Sequence, residues 1–303
     1  MIREALLHAS TGRGEHVWRD SSSMSKCMPK TKDIVAWNAI ITACLHTGHA
    51  LEAIKHFGSL QRLGNVQPNS VTLVNLLKAC SDSAPDQAEF AHICVIENGF
   101  ESNAHIGTML VDKYAKSGNL KDAKRIFERL CKEDIATWNV MITGLISCER
   151  FEEALFLFAE LLDHRVKPNN LTLVAIMQAC SNTFVLDEGM HIHGYIIRSG
   201  ILLDAFVSSS LIDMYARCGE LEEAQNIFDH LYKKDVVSWN ALMSGYAKHG
   251  LGNEALACLK QMKYEGIFPN IVTFICSLKA CGTTGDADEG QLLNSEIARK
   301  GLL

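Results

Sequence analysis

What this 303-residue chain lacks is informative. No two cysteines stand as C-x-x-C, none of the twelve histidines is followed two residues on by glutamate, and no glycine-rich phosphate loop or dinucleotide fingerprint occurs. No catalytic constellation is left to argue from, so the chain reads as a binding protein and not an enzyme, with no cofactor and no metal. No apolar run reaches the roughly 18 residues that a membrane span needs, and no secretory signal peptide is visible. Basic charge is not in excess: the net charge is −6 and the pI about 6.1. That excludes a general basic coat for a polyanion but leaves room for a narrow basic track on one face. Proline is scarce, with five residues in all.

What is present is ordinary globular material, 48% hydrophobic and 21% charged, which excludes a disordered or collagen-like polymer. The eleven cysteines are odd in number, and several, such as Cys80, Cys180 and Cys281, lie in apolar runs. They read as buried, reduced thiols. His191 and His193 suggest a metal pair, but two residues apart on a helix they point away from each other. Glu152-Glu153 and Glu222-Glu223 fall at the start of helices, where they favour the positive helix end.

Repetition is the main signal. Trp37-Asn38, Trp138-Asn139 and Trp239-Asn240 recur every 101 residues, as do Gly99, Gly200 and Gly301, and Ala53, Ala154 and Ala255. Pro68, Pro168 and Pro269 share the same register. Each block divides into hairpin-sized units of about 35, 35 and 31 residues. The units are 34–69, 70–103, 104–134, 135–169, 170–204, 205–235 and 236–270, with 271–303 incomplete and 1–33 a degenerate leading segment. Each unit reads as two helices. In Val236–Asn270 the first carries Trp239, Leu242, Met243 and Tyr246 as an apolar stripe, Gly250 breaks it, and the second carries Ala255, Leu256, Leu259 and Met262 before Gly266 and Pro269. Neither stripe can be buried within one hairpin, so hairpins must stack on their neighbours. The expected fold is all-α: a solenoid of stacked helix-turn-helix repeats, wound as a right-handed superhelix.

One polar residue recurs on the otherwise apolar first helix: Asn38, Asn139 and Asn240, with Thr108 and Ser209 in the shorter units. Helix capping is one reading, since these types satisfy loose N–H groups at a helix start. The other is that an amide or hydroxyl at this place meets the edge of an unstacked base, the form in which helical repeats read RNA.

Here the residues resemble a known family. VVSWNALMSGYAKHGLGNEALACLKQMKYEGIFPN resembles the standard pentatricopeptide repeat (PPR). LTLVAIMQACSNTFVLDEGMHIHGYIIRSGILLD resembles its long variant, and AFVSSSLIDMYARCGELEEAQNIFDHLYKKD its short variant. The standard–long–short cycle is similar to that of the plant subfamily associated with organellar RNA editing. A tetratricopeptide array would instead keep a constant 34-residue period. Residues 1–33 match weakly: Cys27–Asp33 looks like the tail of a short unit, and MIREALLHASTGRG is too little basic to be a transit peptide.

The resemblance implies that each recurring residue acts with the last residue of its unit to select one base of a single-stranded organellar RNA, in mitochondrion or chloroplast. The pairs are Asn38 with Asn69, Asn139 with Asn169 and Asn240 with Asn270, implying pyrimidines, and Thr108 with Asp134 and Ser209 with Asp235, implying guanine. Val74 and Val174 in the long units should read little. The implied target is pyrimidine, any, G, pyrimidine, any, G, pyrimidine. Val35, Phe206 and Val237 would wedge between bases, with Ala136 and His105 as departures; plain core packing stays open for Ala136. Lys116, Arg217 and Lys248 precede the turn after the first helix and could reach phosphates, or could be solvated cations complementing the helix dipole. His46 and Ser147 hold that place elsewhere. Editing members of the subfamily carry a deaminase tail that needs H-x-E and C-x-x-C. With neither motif present, and Leu303 falling inside a long-type unit, the expectation is a fragment or a protein served by a partner deaminase or accessory editing factor. A protein-binding scaffold is the competing function, but it has no need of paired Asn, Thr, Ser and Asp columns.

Overall fold

Asp33, Asn103, Asn169, Asp204, Asp235 and Asn270 each place a side-chain oxygen against a backbone N–H of the next helical turn. These caps start the helices that begin with apolar residues such as Ile34 and Val236. The computed structural model describes residues 33–63, 66–83, 87–130, 134–201 and 204–301. The repeat-like tail read at 27–32 lies outside them; Asp33, its last residue, is the first cap.

Sixteen helices, and no strand, lie among the described residues. They fall into eight pairs: α1 (Ile34–His46) with α2 (Ala50–Leu63), α3 (Ser70–Ser83) with α4 (Gln87–Glu97), α5 (Ala104–Lys116) with α6 (Leu120–Phe127), α7 (Ile135–Ser147) with α8 (Phe151–Asp163), α9 (Asn170–Thr183) with α10 (Leu186–Ser199), α11 (Ala205–Cys218) with α12 (Leu221–Asp229), α13 (Val236–Lys248) with α14 (Gly252–Tyr264), and α15 (Ile271–Thr284) with α16 (Ala287–Arg299). The last unit therefore carries both of its helices. The 101-residue glycine register closes second helices: Gly99, Gly200 and Gly301 have φ of 74°, 64° and 64°, a left-handed conformation that costs glycine little.

The chain divides into two compact units, Met1–Gly144 and Leu145–Leu303. In the first, α1 packs on α2 and α3, α3 on α4 and α5, and α5 on α6. Trp37, Ile41, Phe57, Leu73 and Ile106 are wholly buried there, and Trp138 meets Phe127 edge-to-face at 5.0 Å. In the second, α9, α11, α13 and α15 pack successively on one another, and each also packs on its own hairpin partner. Trp239, Leu242 and Met243 and then Ala255, Leu256, Leu259 and Met262 are buried, as the stripe predicts. Within each unit the helices that pack on one another lie one or two places apart along the chain, which is the solenoid pattern.

First helices approach closely where one residue is glycine. A Cβ on Gly245 would stand 2.4 Å from Ala216 Cβ, and one on Gly144 would stand 2.4 Å from Ala115 Cβ. Gly58, inside α2, has open space at the same point. Gly245→Ala should therefore destabilise by about 1–3 kcal/mol through overpacking. Gly58→Ala should stabilise by about 0.5–1 kcal/mol, because alanine removes glycine's entropy cost in a helix. Urea titration of the two variants gives midpoint shifts of opposite sign; equal shifts would contradict the packing.

A second pair keeps the 101-residue register. His92 Nδ1 lies 3.0 Å from Tyr114 Oη and His193 Nδ1 2.9 Å from Tyr215 Oη. Both pairs stack edge-to-face with centroids 5.6 Å apart. Burial lowers the pKa of both imidazoles, opposed at His193 by Glu223. Burial also raises both phenols, Tyr215 to about 12. The unfolded histidines, with pKa about 6.5, take up protons before the folded ones. Stability from these sites is complete above that value and falls as pH drops below it. The urea midpoint should decrease between pH 7.5 and 5.5, and His92→Phe/His193→Phe should flatten that decrease.

Candidate functional site

Asn38, Thr108, Asn139, Ser209 and Asn240 are each the fifth residue of a first helix. That position is inside the helix, so the capping alternative is overturned for them. The caps are the other members of the pairs. Asn69, Asn169 and Asn270 accept a backbone N–H from Thr72, Thr172 and Thr273, each at 3.0 Å. Asp134 accepts from Ala136 N at 3.0 Å and Asp235 from Ser238 N at 2.8 Å. The last residue of one repeat therefore starts the first helix of the next, and this brings the two columns together.

Asn38 Nδ2 donates to Asn69 Oδ1 at 3.1 Å, and Asn240 Nδ2 donates to Asn270 Oδ1 at 3.1 Å. A hydroxyl from the following helix completes each cluster: Thr72 Oγ1 lies 2.7 Å from Asn38 Oδ1, and Thr273 Oγ1 lies 2.7 Å from Asn240 Oδ1. In the short units the pairs do not bond directly. Thr108 Oγ1 meets Thr137 Oγ1 at 2.8 Å. Ser209 Oγ donates to Ala205 O at 2.7 Å, and Asp235 is engaged with Ser238. Asn139, Ser209 and Asn240 are only 5%, 5% and 8% exposed, while Asn38 and Thr108 are half-buried. This covering comes with polar partners at Asn240, so the group is held and not stranded in apolar surroundings.

The caps decide which polar atoms stay open. An asparagine cap spends its one oxygen on the helix and keeps an NH2 with two donors; an aspartate cap keeps a second oxygen as acceptor. The repeats that end on Asn69 and Asn270 thus offer donors and those that end on Asp134 and Asp235 offer acceptors, whereas the second oxygen of Asp204 is taken by Asn170 Nδ2.

Beside this column, the second residue of each first helix is exposed. Val35, Phe206 and Val237 are 65%, 73% and 50% exposed, and Ala136 and His105 are exposed in the same place. Val71, Leu171 and Val272 belong to the row and were missed in the long units; their identical place after the cap was the available signal. Large apolar residues recurring exposed at one register are unusual on a surface with nothing to bind.

The model of the PPR repeat family matches residues 32–82, 133–182 and 234–283, and that of the PPR repeat matches 108–135 and 206–236. The chain belongs to the PPR family. Among its relatives in Arabidopsis thaliana is a chloroplastic pentatricopeptide repeat-containing protein, 35% identical over 271 residues, 86% of this chain and 30% of that protein. Another covers 96% of this chain and 51% of its own length at 35% identity, and a mitochondrial one is 31% identical over 281 residues. The chain thus spans about a third to a half of the relatives it matches. The PPR fold itself is shared with the pentatricopeptide repeat protein PPR10, solved in complex with an 18-nt psaJ RNA element, at a TM-score of 0.79 and 23% identity over 93% of this chain and 42% of that one.

The three cations of this PPR array expected to reach phosphates are each engaged. Lys116 pairs with Asp112 at 2.7 Å and Arg217 with Asp213 at 2.8 Å, each one helical turn away. Lys248 Nζ lies 4.5 Å above the Phe184 ring. Exposed ion pairs of this kind hold at most about 1 kcal/mol, so a phosphate can compete for the cation. No group of three metal-ligating side chains occurs among the described residues. The nine described cysteines are free thiols; burial pushes Cys44 to about 11 and Cys180 to about 12, which keeps them protonated and unreactive.

Proposed function

We propose that this chain binds single-stranded RNA, one base per repeat, and that Asn38, Thr108, Asn139, Ser209 and Asn240, with the caps that follow, select the base. The observation that carries the reading is the hydrogen-bonded pairing of Asn38 with Asn69 and of Asn240 with Asn270. Two positions about 30 residues apart in sequence, one singled out by periodicity and the other by the family resemblance, meet at one polar cluster in each of two repeats. The NH2 donors of the Asn69 and Asn270 caps suit the O2 and N3 or O4 acceptors of pyrimidines. The spare carboxylate oxygens of Asp134 and Asp235 suit the N1–H and N2–H donors of guanine. Val35, Phe206 and Val237, with Val71, Leu171 and Val272, offer apolar surface on which bases stack or wedge. The target is pyrimidine, any, G, pyrimidine, any, G, pyrimidine, read in the parallel sense.

The standard–long–short cycle supports a kinship with the editing-associated plant subfamily, and the names of the chloroplastic and mitochondrial relatives support an organellar RNA. The partners this reading implies are an editing deaminase or an accessory editing factor. Gel-shift titration tests the reading. The matched oligonucleotide should bind at least about tenfold more tightly than a permutation of the same bases, a difference of about 1.4 kcal/mol. Equal affinity for the two sinks the proposal. Phosphate contacts by Lys116, Arg217 and Lys248 should give a log–log salt slope near −2, at about −0.7 per contact on a single strand. Replacing all three by alanine should flatten the slope and leave the base preference alone.

A further inference from the structure

Asn38, Thr108 and Asn240 share a neighbour that the paired-residue reading does not use: the hydroxyl at the third residue of the following first helix. It belongs to Thr72, Thr137 and Thr273, which are 0%, 1% and 0% exposed. Thr72 Oγ1 accepts from Asn69 N at 3.1 Å, and Thr273 Oγ1 from Asn270 N at 3.1 Å. The one hydroxyl hydrogen then faces two acceptors, and the selecting amide is the nearer in both places: Asn38 Oδ1 at 2.7 Å against Asn69 Oδ1 at 2.9 Å, and Asn240 Oδ1 at 2.7 Å against Asn270 Oδ1 at 3.1 Å. Thr108 Oγ1 donates to Ala104 O at 2.8 Å, which leaves Thr137 to donate to it at 2.8 Å. In all three places the incoming hydroxyl approaches the selecting side chain as a donor.

This contact fixes which way an amide faces. Asn69 Oδ1 is committed to the cap as an acceptor, so Asn38 must turn its NH2 toward it. The Asn38 oxygen then needs a donor on its other side, and Thr72 supplies it. A flipped amide would set two oxygens against each other at 3.1 Å.

The sequence carries a second, independent mark. Where the selecting residue is Asn, Thr or Ser, the third residue of the next repeat is a hydroxyl: Thr72, Thr137, Thr172, Ser238, Thr273. Where it is Val74 or Val174, that residue is Ile106 or Val207. Helix capping does not require the hydroxyl, because α5 and α11 start on Asn103 and Asp204 with Ile106 and Val207 there. At Ser209 the shorter side chains turn to the backbone, Ser209 to Ala205 O and Ser238 to Asp235 O.

We propose that Thr72, Thr137 and Thr273 are positioning residues for base selection: each orients the selecting side chain of the preceding repeat, so that three residues from two repeats set one base. The proposal rests on the RNA reading above. Its test is binding of the full chain to four oligonucleotides that differ only in the base facing the 236–270 repeat, measured for wild type, Thr273→Val and Thr273→Ser. Thr273→Val should lower the pyrimidine-over-purine ratio at that base by about tenfold and leave unchanged the guanine preference at the base facing Thr108, read with a second set of four oligonucleotides varied there; Thr273→Ser should keep both. Thr72→Val, read at the base facing Asn38, repeats the measurement in the other compact unit should Thr273→Val fail to fold. Preserved ratios with weaker binding to all four bases mean a structural role only and overturn the proposal. A wild type that shows no preference at any position overturns the RNA-selection reading itself, and this inference with it.

Discussion

Trp239→Ala should cost about 3–5 kcal/mol, the range for emptying a large aromatic site in a packed core. The indole is 2% exposed and meets Phe228 at 4.5 Å between centroids. Lys234 lies over both rings, 4.7 Å from that of Phe228 and 5.8 Å from that of Trp239. The indole N–H has no hydrogen-bond partner among the described residues, so the loss is one of packing and ring contact alone. The damage should also be local. Stability in a solenoid is a sum of repeat terms and nearest-neighbour interfaces, and α13 joins α11, α12, α14 and α15. Amide exchange should accelerate across α11–α15 while α1–α3 keep their protection. Uniform acceleration along the whole chain would contradict the additive picture.

The 101-residue spacing was legible because each repeat must solve the same packing problem. Trp at the fourth helical residue, alanine in the second helix and left-handed glycine at its end recur where geometry leaves little choice. The identity of the caps was not legible. Asn, Thr, Ser and Asp suit both the fifth-residue column and the last-residue column, and capping was weighed as an alternative for the first of these only. The deciding fact is where the helix begins, and Ile34, Ile135 and Val236 do not announce a helix start. The exposed apolar row was seen in half the repeats only. Val71, Leu171 and Val272 escaped because hydropathy cannot distinguish a buried apolar residue from an exposed one. The pairing of Lys116 with Asp112 and of Arg217 with Asp213 follows from their four-residue spacing and was available from sequence. His193, weighed only as half of a metal pair, shows the same lesson: its partner Tyr215 lies 22 residues away, on the next helix.

Changing the pair in one repeat should change the base that it prefers. Asn240→Thr with Asn270→Asp reproduces the Thr108–Asp134 combination in the 236–270 repeat. The helix should survive the exchange, because aspartate caps as well as asparagine, Thr273 still supplies its side of the capping box, and a negative charge suits a helix start. What changes is the polar edge. Asn270 spends its oxygen on Thr273 N and shows an NH2; aspartate would spend one oxygen and show another. The side chain at 240 would shorten from an amide to a hydroxyl, as at Thr108, which Thr137 already holds by a 2.8 Å hydrogen bond. Donors give way to acceptors, and guanine, with its N1–H and N2–H, becomes the matched base. The double variant should bind an oligonucleotide carrying G at that position about as tightly as wild type binds the pyrimidine, and each protein should reject the other's ligand by about tenfold, or 1.4 kcal/mol. Asn270→Asp alone should go part of the way, since Asn240 would then face a carboxylate. Fluorescence anisotropy with the four single-base variants decides it: a double variant that still prefers a pyrimidine there would show that base choice is made elsewhere in the repeat.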